Sequence, residues 1–158
     1  MERNKFAAGR IREVFLNGRW IANTNFKDQL ESVTWEQANH KIGSLNTIAL
    51  LAFHINYYVA GLINVFKGGG LEIRDKFSFD APPVESETDW KNRINELLEN
   101  AEEFAVHLEN MSDSKMDEPF VDPKYGTYMR NIEGIIEHGY YHLGQVSLLR
   151  KMVVESGK

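Results

Sequence analysis

The stretch YMRNIEGIIEHGYYHLGQVSLLRKMVV, residues 128–154, decides the fold. Its apolar side chains return every three or four residues, which places them along one face of an α-helix. They are Ile132, Ile135, Ile136, Leu143, Val146 and Leu149. Thr127 precedes the stretch and has a side chain suited to an N-cap. We therefore predict a long helix from Thr127 to about Val154, with its apolar face in a hydrophobic core.

Three earlier stretches have the same periodicity and predict three more helices. The first covers residues 3–17, with Ala7, Ile11, Val14 and Phe15 on one face, and Asn17-Gly18 ends it. The second runs from about Leu45 to Phe66, begins at Ser44 or Asn46, and ends at Gly68-Gly69-Gly70. The third opens at Glu87 to Asp89 and continues to about Asn110. Its apolar stripe is Trp90, Ile94, Leu97, Leu98, Ala101, Phe104, Ala105 and Leu108.

The segments between these helices are connections. Thr34 and Gln37 have the spacing of a capping box. Residues 71–84 are predicted as an extended connection that crosses one end of the bundle, and residues 111–126 as a loop. We predict an all-α fold, a four-helix bundle with one long crossover, as a single helical-bundle domain over residues 1–158.

Composition excludes several classes of function. The net charge of −5 argues against nucleic acid, which needs a clustered basic face. There is no cysteine, so disulfides, thiolate ligands and a cysteine nucleophile are excluded, and any thiol must arrive on a cosubstrate. The longest apolar run, residues 48–65, contains His54 and two asparagines and is not typical of a membrane span. The first 15 residues are charged and do not resemble a signal peptide, so we expect a cytoplasmic protein.

The motif His138-Gly-Tyr-Tyr-His142 is the strongest functional signal. Residues four apart on a helix differ by about 40° around the axis and about 6 Å along it, so two imidazoles can reach one ion. A third histidine, His54, interrupts the apolar face of the second helix. Three histidines on two core helices predict a divalent-metal site with open coordination positions. His40 lacks a core position and His107 lacks a partner histidine, so both are left out of the set.

Imidazole ligands without thiolates suit zinc, nickel, iron or copper. A di-iron site is disfavoured because neither Glu133 nor Glu137 has a histidine three residues later. Glu137 also points about 100° away from His138 on a straight helix, so the sequence assigns no general base.

Three polar side chains are candidates for contacts around the site, although each also suits ordinary helix packing. Gln145 lies on the same face as His138 and His142 and can orient a ligand ring or a bound water. Tyr58 lies one turn from His54, and Tyr141 lies three residues from His138. Gly134, Gly139 and Gly144 are expected to admit a neighbouring helix, a ligand or a local bend.

From about Trp20 onward the chain resembles the DinB-like superfamily, of the YfiT type. The residues that carry the resemblance are Gly134 to Gln145 with Leu148 to Lys151, Asn46-Thr47-Ile48 leading to His54, and Trp35 to Ala38. The resemblance implies a four-helix bundle with a long crossover, a nickel or zinc ion on three histidines, and a homodimer in many members. Carried over by position, the ligands are His54, His138 and His142. Relatives include enzymes of thiol-dependent S-transfer and isomerisation.

Two classes of function stay open at this point. The first is an enzyme, a metal-dependent hydrolase or a thiol-dependent S-transferase, which acts on a small-molecule substrate and takes a low-molecular-weight thiol in the second case. The alternative is a metal-binding interaction protein or a structural bundle without catalytic turnover.

Overall fold

The computed structural model describes residues 2–157, and within them it contains seven α-helices and no strand. The helices are α1 Arg3–Arg12, α2 Phe26–Leu30, α3 Trp35–Asn39, α4 Ile48–Phe66, α5 Glu87–Glu109, α6 Asp113–Asp117 and α7 Tyr128–Glu155. A π-helical turn, Glu13–Asn17, continues α1. Short 3₁₀ turns cover Asp75–Phe77 and Pro123–Tyr125. The predicted all-α class is confirmed, and the assignment of residues 1–158 to a single domain stays a prediction.

The four long elements, α1 with its continuation, α4, α5 and α7, pack around a common core. Helix α5 contacts both α1 and α4, and α4 also contacts α7. The apolar stripe predicted for α5 is buried throughout except for Leu98, which is partly buried. The largest fully buried side chains include Trp90, Phe15, Phe26 and Phe104. Burial of such side chains is the main stabilising contribution to a bundle of this kind.

Side chains cap the helices at most of the predicted positions. The Thr34 hydroxyl accepts from the Gln37 amide while the Gln37 side chain accepts from the Thr34 amide, so the predicted capping box is confirmed. Thr127 caps α7 by accepting from the Arg130 amide. The prediction that Ser44 or Asn46 begins α4 was wrong. Thr47 has the extended backbone of an N-cap and accepts from the Leu50 amide.

Gly139 lets the first helical element pack directly against α7. A Cβ built at this position would lie 3.2 Å from side-chain atoms of both Val14 and Phe15, which is tighter than ordinary contact. Gly134 and Gly144 are different, because a Cβ at either would meet no atom within 4 Å. Of the three glycines considered in the sequence, Gly139 therefore admits a neighbouring helix, and the other two face open space.

The connection after α4 runs back along that helix, and the expectation that it crosses one end of the bundle was wrong. Ile73 packs against Gly61, where a side chain would collide with it at 2.2 Å. Further along, the Tyr57 hydroxyl accepts from the Arg74 amide, and Phe79 stacks on the ring of His54. The space left by Gly61 and these contacts place residues 73–79 against one side of α4, where Phe79 covers one face of the His54 ring.

The segment at 111–126 is more ordered than the predicted loop. It contains α6, the Pro123–Tyr125 turn and an isolated antiparallel bridge between Pro119 and Thr127. Met116 is fully buried and Phe120 is 3% exposed. The sequence emphasised aspartates, serines and prolines here, but these two apolar side chains tie the segment to the core.

Helix α4 is long and apolar enough to cross a membrane by length and composition alone. Of its most apolar window, 61% is buried inside the protein. In this structure α4 is a core helix that packs between α5 and α7.

Candidate metal centre

Two core helices bring three histidines together. His54 lies on α4, and His138 and His142 lie one turn apart on α7. His54 and His142 are each only 6% exposed, and His138 is partly buried. One ring nitrogen from each histidine can be chosen so that all three lie within 4.8 Å of one another. The structure therefore places together the three side chains that the sequence selected.

The Nε2 atom of His138 lies close to the Nε2 atoms of both other histidines. His138 Nε2 lies 3.2 Å from His54 Nε2 and 2.9 Å from His142 Nε2. Bonds of about 2.0–2.1 Å from nitrogen to a tetrahedral zinc ion separate the nitrogens by about 3.3 Å. The two measured separations differ from that spacing by only a few tenths of an ångström, and all three ligand atoms lie within 4.8 Å of one another.

Neighbouring oxygens orient two of the three rings. His54 Nδ1 lies 3.2 Å from the Ser78 carbonyl oxygen, and His142 Nδ1 lies 2.6 Å from Gln145 Oε1. Because these oxygens accept hydrogen bonds, each Nδ1 carries the proton and each Nε2 keeps a lone pair. The single Nε2–H that His138 can offer cannot pair well with both lone pairs at once. A cation on the three Nε2 atoms satisfies all of them, and ligating histidines commonly have outer partners of this kind.

The environment keeps the three imidazoles neutral. Burial lowers the pKa of His54 and of His142 below the ordinary value of 6.5 and lowers that of His138 to about 4. Repulsion from the other two rings adds to the effect of burial on the pKa of His138. Since a metal ion binds the neutral imidazole, this arrangement has the protonation state that coordination needs at pH 7.

When metal-free protein is acidified from pH 6.5 to pH 4, protonation of these histidines is expected to lower its free energy of unfolding by about 2 kcal/mol. The lowered pKa values mean that the unfolded chain binds protons in this range that the folded chain excludes. This contribution is fully present above pH 6.5 and falls as the pH decreases towards the folded value of about 4 for His138.

Urea unfolding at several pH values with a chelator present measures this loss, and His138→Gln is the matched variant. It removes the imidazole with the most strongly lowered pKa, so its stability should decrease less on acidification. Identical pH profiles for the variant and the unsubstituted protein would show that His138 is not buried in its neutral form.

The connection after α4, residues 71–84 and here called the crossover segment, supplies Asp75 and Phe79, which the sequence did not reveal as site residues. The Phe79 ring stacks on His54 with 4.0 Å between centroids. The Tyr58 ring lies edge-on to both His54 and His138, and its hydroxyl donates to Asp75 Oδ1 at 2.8 Å. The sequence did not indicate these contacts, because it predicted only an extended connection here.

The remaining candidates lie at the edge of the site or outside it. Tyr141 lies edge-on to His142 and is 65% exposed, so it shields the outer side of that ring. His107 pairs with Glu103 on its own helix, and His40 is partly exposed at the end of α3. Within residues 2–157, neither histidine belongs to the group whose ligand atoms converge.

A pocket of about 490 Å³ opens beside the histidines, between α4, α7 and the crossover segment. His138 and Tyr58 line its end at the candidate centre, and Asp75 contributes a carboxylate to its wall. The volume lies within the usual range for small-molecule sites. Of the three histidines, His138 is therefore the one that a ligand in this pocket can contact.

Comparison with known proteins gives a family assignment. A family model described as the DinB superfamily matches residues 22–145, most of the chain. The matched region contains His54, His138 and His142. Neither the curated proteins nor the solved structures include a match to this chain.

Proposed function

This chain belongs to the DinB superfamily, and from that premise we propose that it is a divalent-metal-dependent enzyme acting on a small molecule. The observation that carries the proposal is the convergence of ring nitrogens from His54, His138 and His142 beside a pocket that His138 lines. Nickel and zinc are the ions we propose, because the donor set is three imidazoles with no thiolate and no carboxylate.

His54, His138 and His142 would hold the ion, and the ion would lower the pKa of a water or thiol and so supply a nucleophile at neutral pH. The protein's own residues prepare this site. The Ser78 carbonyl and Gln145 orient two rings, while Phe79 and Tyr58 cover His54 and limit the access of water. Attack by water gives hydrolysis and attack by a thiol gives S-transfer. Because the chain has no cysteine, that thiol belongs to a low-molecular-weight cosubstrate.

Asp75 is the residue we propose as the proton acceptor for the nucleophile. Its carboxylate lies in the wall of the pocket that ends at His138 and accepts from the Tyr58 hydroxyl. Burial raises the pKa of Tyr58, which favours the protonated hydroxyl that this hydrogen bond needs. Tyr58 thereby holds Asp75 in place. Glu137 pairs with Arg130 and is not among the residues that line the pocket.

Asp75→Asn is expected to lower kcat by about a hundredfold, a typical loss when a general base is removed. The amide keeps the size of the side chain and an oxygen that can accept from Tyr58, so metal content should not change. Glu72→Gln, which removes an exposed carboxylate elsewhere on the same segment, is the matched control. Full activity in the Asp75→Asn protein would exclude its role as proton acceptor.

Activity itself is tested with untagged protein reconstituted with Ni²⁺ or Zn²⁺. One assay follows hydrolysis of p-nitrophenyl acetate, and a second follows transfer of cysteine or glutathione to an electrophilic dye. Turnover that disappears in the His142→Ala variant supports the proposal. Turnover that survives this substitution excludes metal-centred catalysis, and full metal binding without turnover on any acceptor favours a binding or structural role.

The proposal extends to partners and location. We propose a cytoplasmic homodimer that uses small molecules as its only substrates and binds neither nucleic acid nor membranes. The acidic balance supports the exclusion of nucleic acid. Light scattering on purified protein tests the dimer, for which twice the chain mass of 18.2 kDa is expected.

A further inference from the structure

Apolar and polar side chains both line the pocket beside His138, and the polar ones include Tyr125, Asn131 and the charged Asp75 and Arg130. Leu62 on α4 and Ile135 on α7 are buried side chains that face it, and Leu71 and Ile73 close it from the crossover segment. Gly134 leaves a gap in the α7 wall, since a Cβ there would meet no atom within 4 Å. This space suits an apolar body of several carbon atoms.

Arg130 on α7 contributes a positive charge to the lining of the pocket. Arg130 lies two turns before His138, which corresponds to about 12 Å along the helix. The Arg130 guanidinium donates to Glu137 Oε2 at 3.0 Å, so the side chain extends along α7 in the direction of His138. Arg130 is the only cationic side chain among the described residues that line this pocket.

We infer that this pocket binds a small molecule with an apolar body and a terminal carboxylate or similar anion, with the anion at Arg130 and the reacting end at His138. The inference rests on the proposed function for the role of His138, and it adds the class of substrate. A guanidinium offers paired donors that match a carboxylate, and four of its five N–H groups stay available beside the bond to Glu137.

The acidic group of the pocket does not oppose this arrangement. Asp75 lies on the crossover segment, across the pocket from α7, and its Oδ1 accepts from Tyr58. Glu137 competes with the ligand for Arg130, but the pair is exposed, with side-chain exposures of 59% and 63%. Exposed ion pairs contribute little to stability, so an anion in the drier pocket can replace Glu137, and either residue can be changed without unfolding the chain.

Two glycines on α7 provide a matched steric test. Gly134 faces the pocket, whereas Gly144 faces open space away from it. Replacing either by leucine removes a residue that is unfavourable in helices and places the new Cβ where no other atom lies within 4 Å. Gly134→Leu therefore fills the pocket, and Gly144→Leu is its control for any general effect of the substitution.

The probes are phenylalkanoic acids, in which two to six carbons join the phenyl ring to the carboxyl group, and their primary amides. Binding is followed by ¹⁵N–¹H NMR on the full chain, once loaded with Zn²⁺ and once with chelator. The best acid should bind at least tenfold more tightly than its amide.

Arg130→Gln should remove this preference without changing binding of the amide, and Glu137→Gln should tighten binding of the acid severalfold. Gly134→Leu should abolish binding of both probes, and Gly144→Leu should leave it unchanged.

Equal binding of acid and amide to the unsubstituted protein would overturn the anionic part of the inference. Binding that survives Gly134→Leu, or no binding by any acid at 10 mM, would overturn the pocket itself. The measurements with chelator show whether the pocket binds acids independently of the proposed metal-dependent function. If acids bind the metal-free chain through Arg130 but the chain takes up no metal, the pocket assignment stands and the metal-dependent function fails. A preference for acids seen only with Zn²⁺ and unchanged in Arg130→Gln would place the anion on the metal and contradict the role of Arg130.

Discussion

Replacing His142 by alanine is expected to lower the affinity for Ni²⁺ or Zn²⁺ by more than about a hundredfold. Loss of an outer partner of a ligand alone commonly costs tenfold to a hundredfold, and His142 is itself one of the three convergent imidazoles. The same loss is expected for His54→Ala and His138→Ala. Isothermal titration with a competing chelator measures these affinities for each variant.

His107→Ala and His40→Ala are the matched controls, because both remove an imidazole from elsewhere in the bundle. His107 pairs with Glu103 on α5, and His40 lies at the end of α3. Neither substitution should change the affinity by more than about twofold. An equal loss in His107→Ala would mean that the ligand set has been chosen wrongly.

Saturating metal is expected to raise the free energy of unfolding by about 4 kcal/mol when the free ion is at about a thousand times its Kd. Binding restricted to the folded state has this consequence, since His54 and the α7 pair lie 84 residues apart in sequence and meet only after folding. For a chain of this length, the midpoint of thermal unfolding should rise by about 10 °C.

Calorimetry with chelator and with added Ni²⁺, Zn²⁺ or Mg²⁺ measures the rise in the midpoint. Mg²⁺ prefers oxygen ligands and should produce no change. His142→Ala should remove the effect of Ni²⁺ and Zn²⁺, whereas His107→Ala should keep it. A rise of the same size in His142→Ala would show that the ions bind elsewhere on the folded protein.

The predictable parts of this site come from helix geometry. Residues 138 and 142 meet because any helix places positions four apart on one face, so the sequence was sufficient for that pair. His54 could be added because it interrupts a strongly apolar face, where a lone imidazole needs a partner. Its position opposite the other two depends on how α4 packs against α7. The sequence restricts that arrangement through the apolar stripes but does not specify it.

The crossover segment shows where sequence reasoning ends. Its contact with α4 depends on the gap at Gly61 and on the stacking of Phe79 on His54. Both are long-range contacts that no local periodicity encodes. The same limit applies to Asp75 and to the pocket, because a carboxylate in a connection gains a role only when the chain places it beside the histidines. The prediction of Ser44 or Asn46 in place of Thr47 as the cap of α4 was a local error, since all three side chains suit that position.

X-ray absorption spectroscopy on untagged protein, purified without added metal or chelator, tests the shared ion most directly. We predict about one equivalent of nickel or zinc per chain, with three imidazole nitrogens at about 2.0–2.1 Å, and two imidazoles in any residual site of the His142→Ala protein. Metal far below one equivalent that does not increase on reconstitution, or a first shell without three imidazoles, would contradict the account.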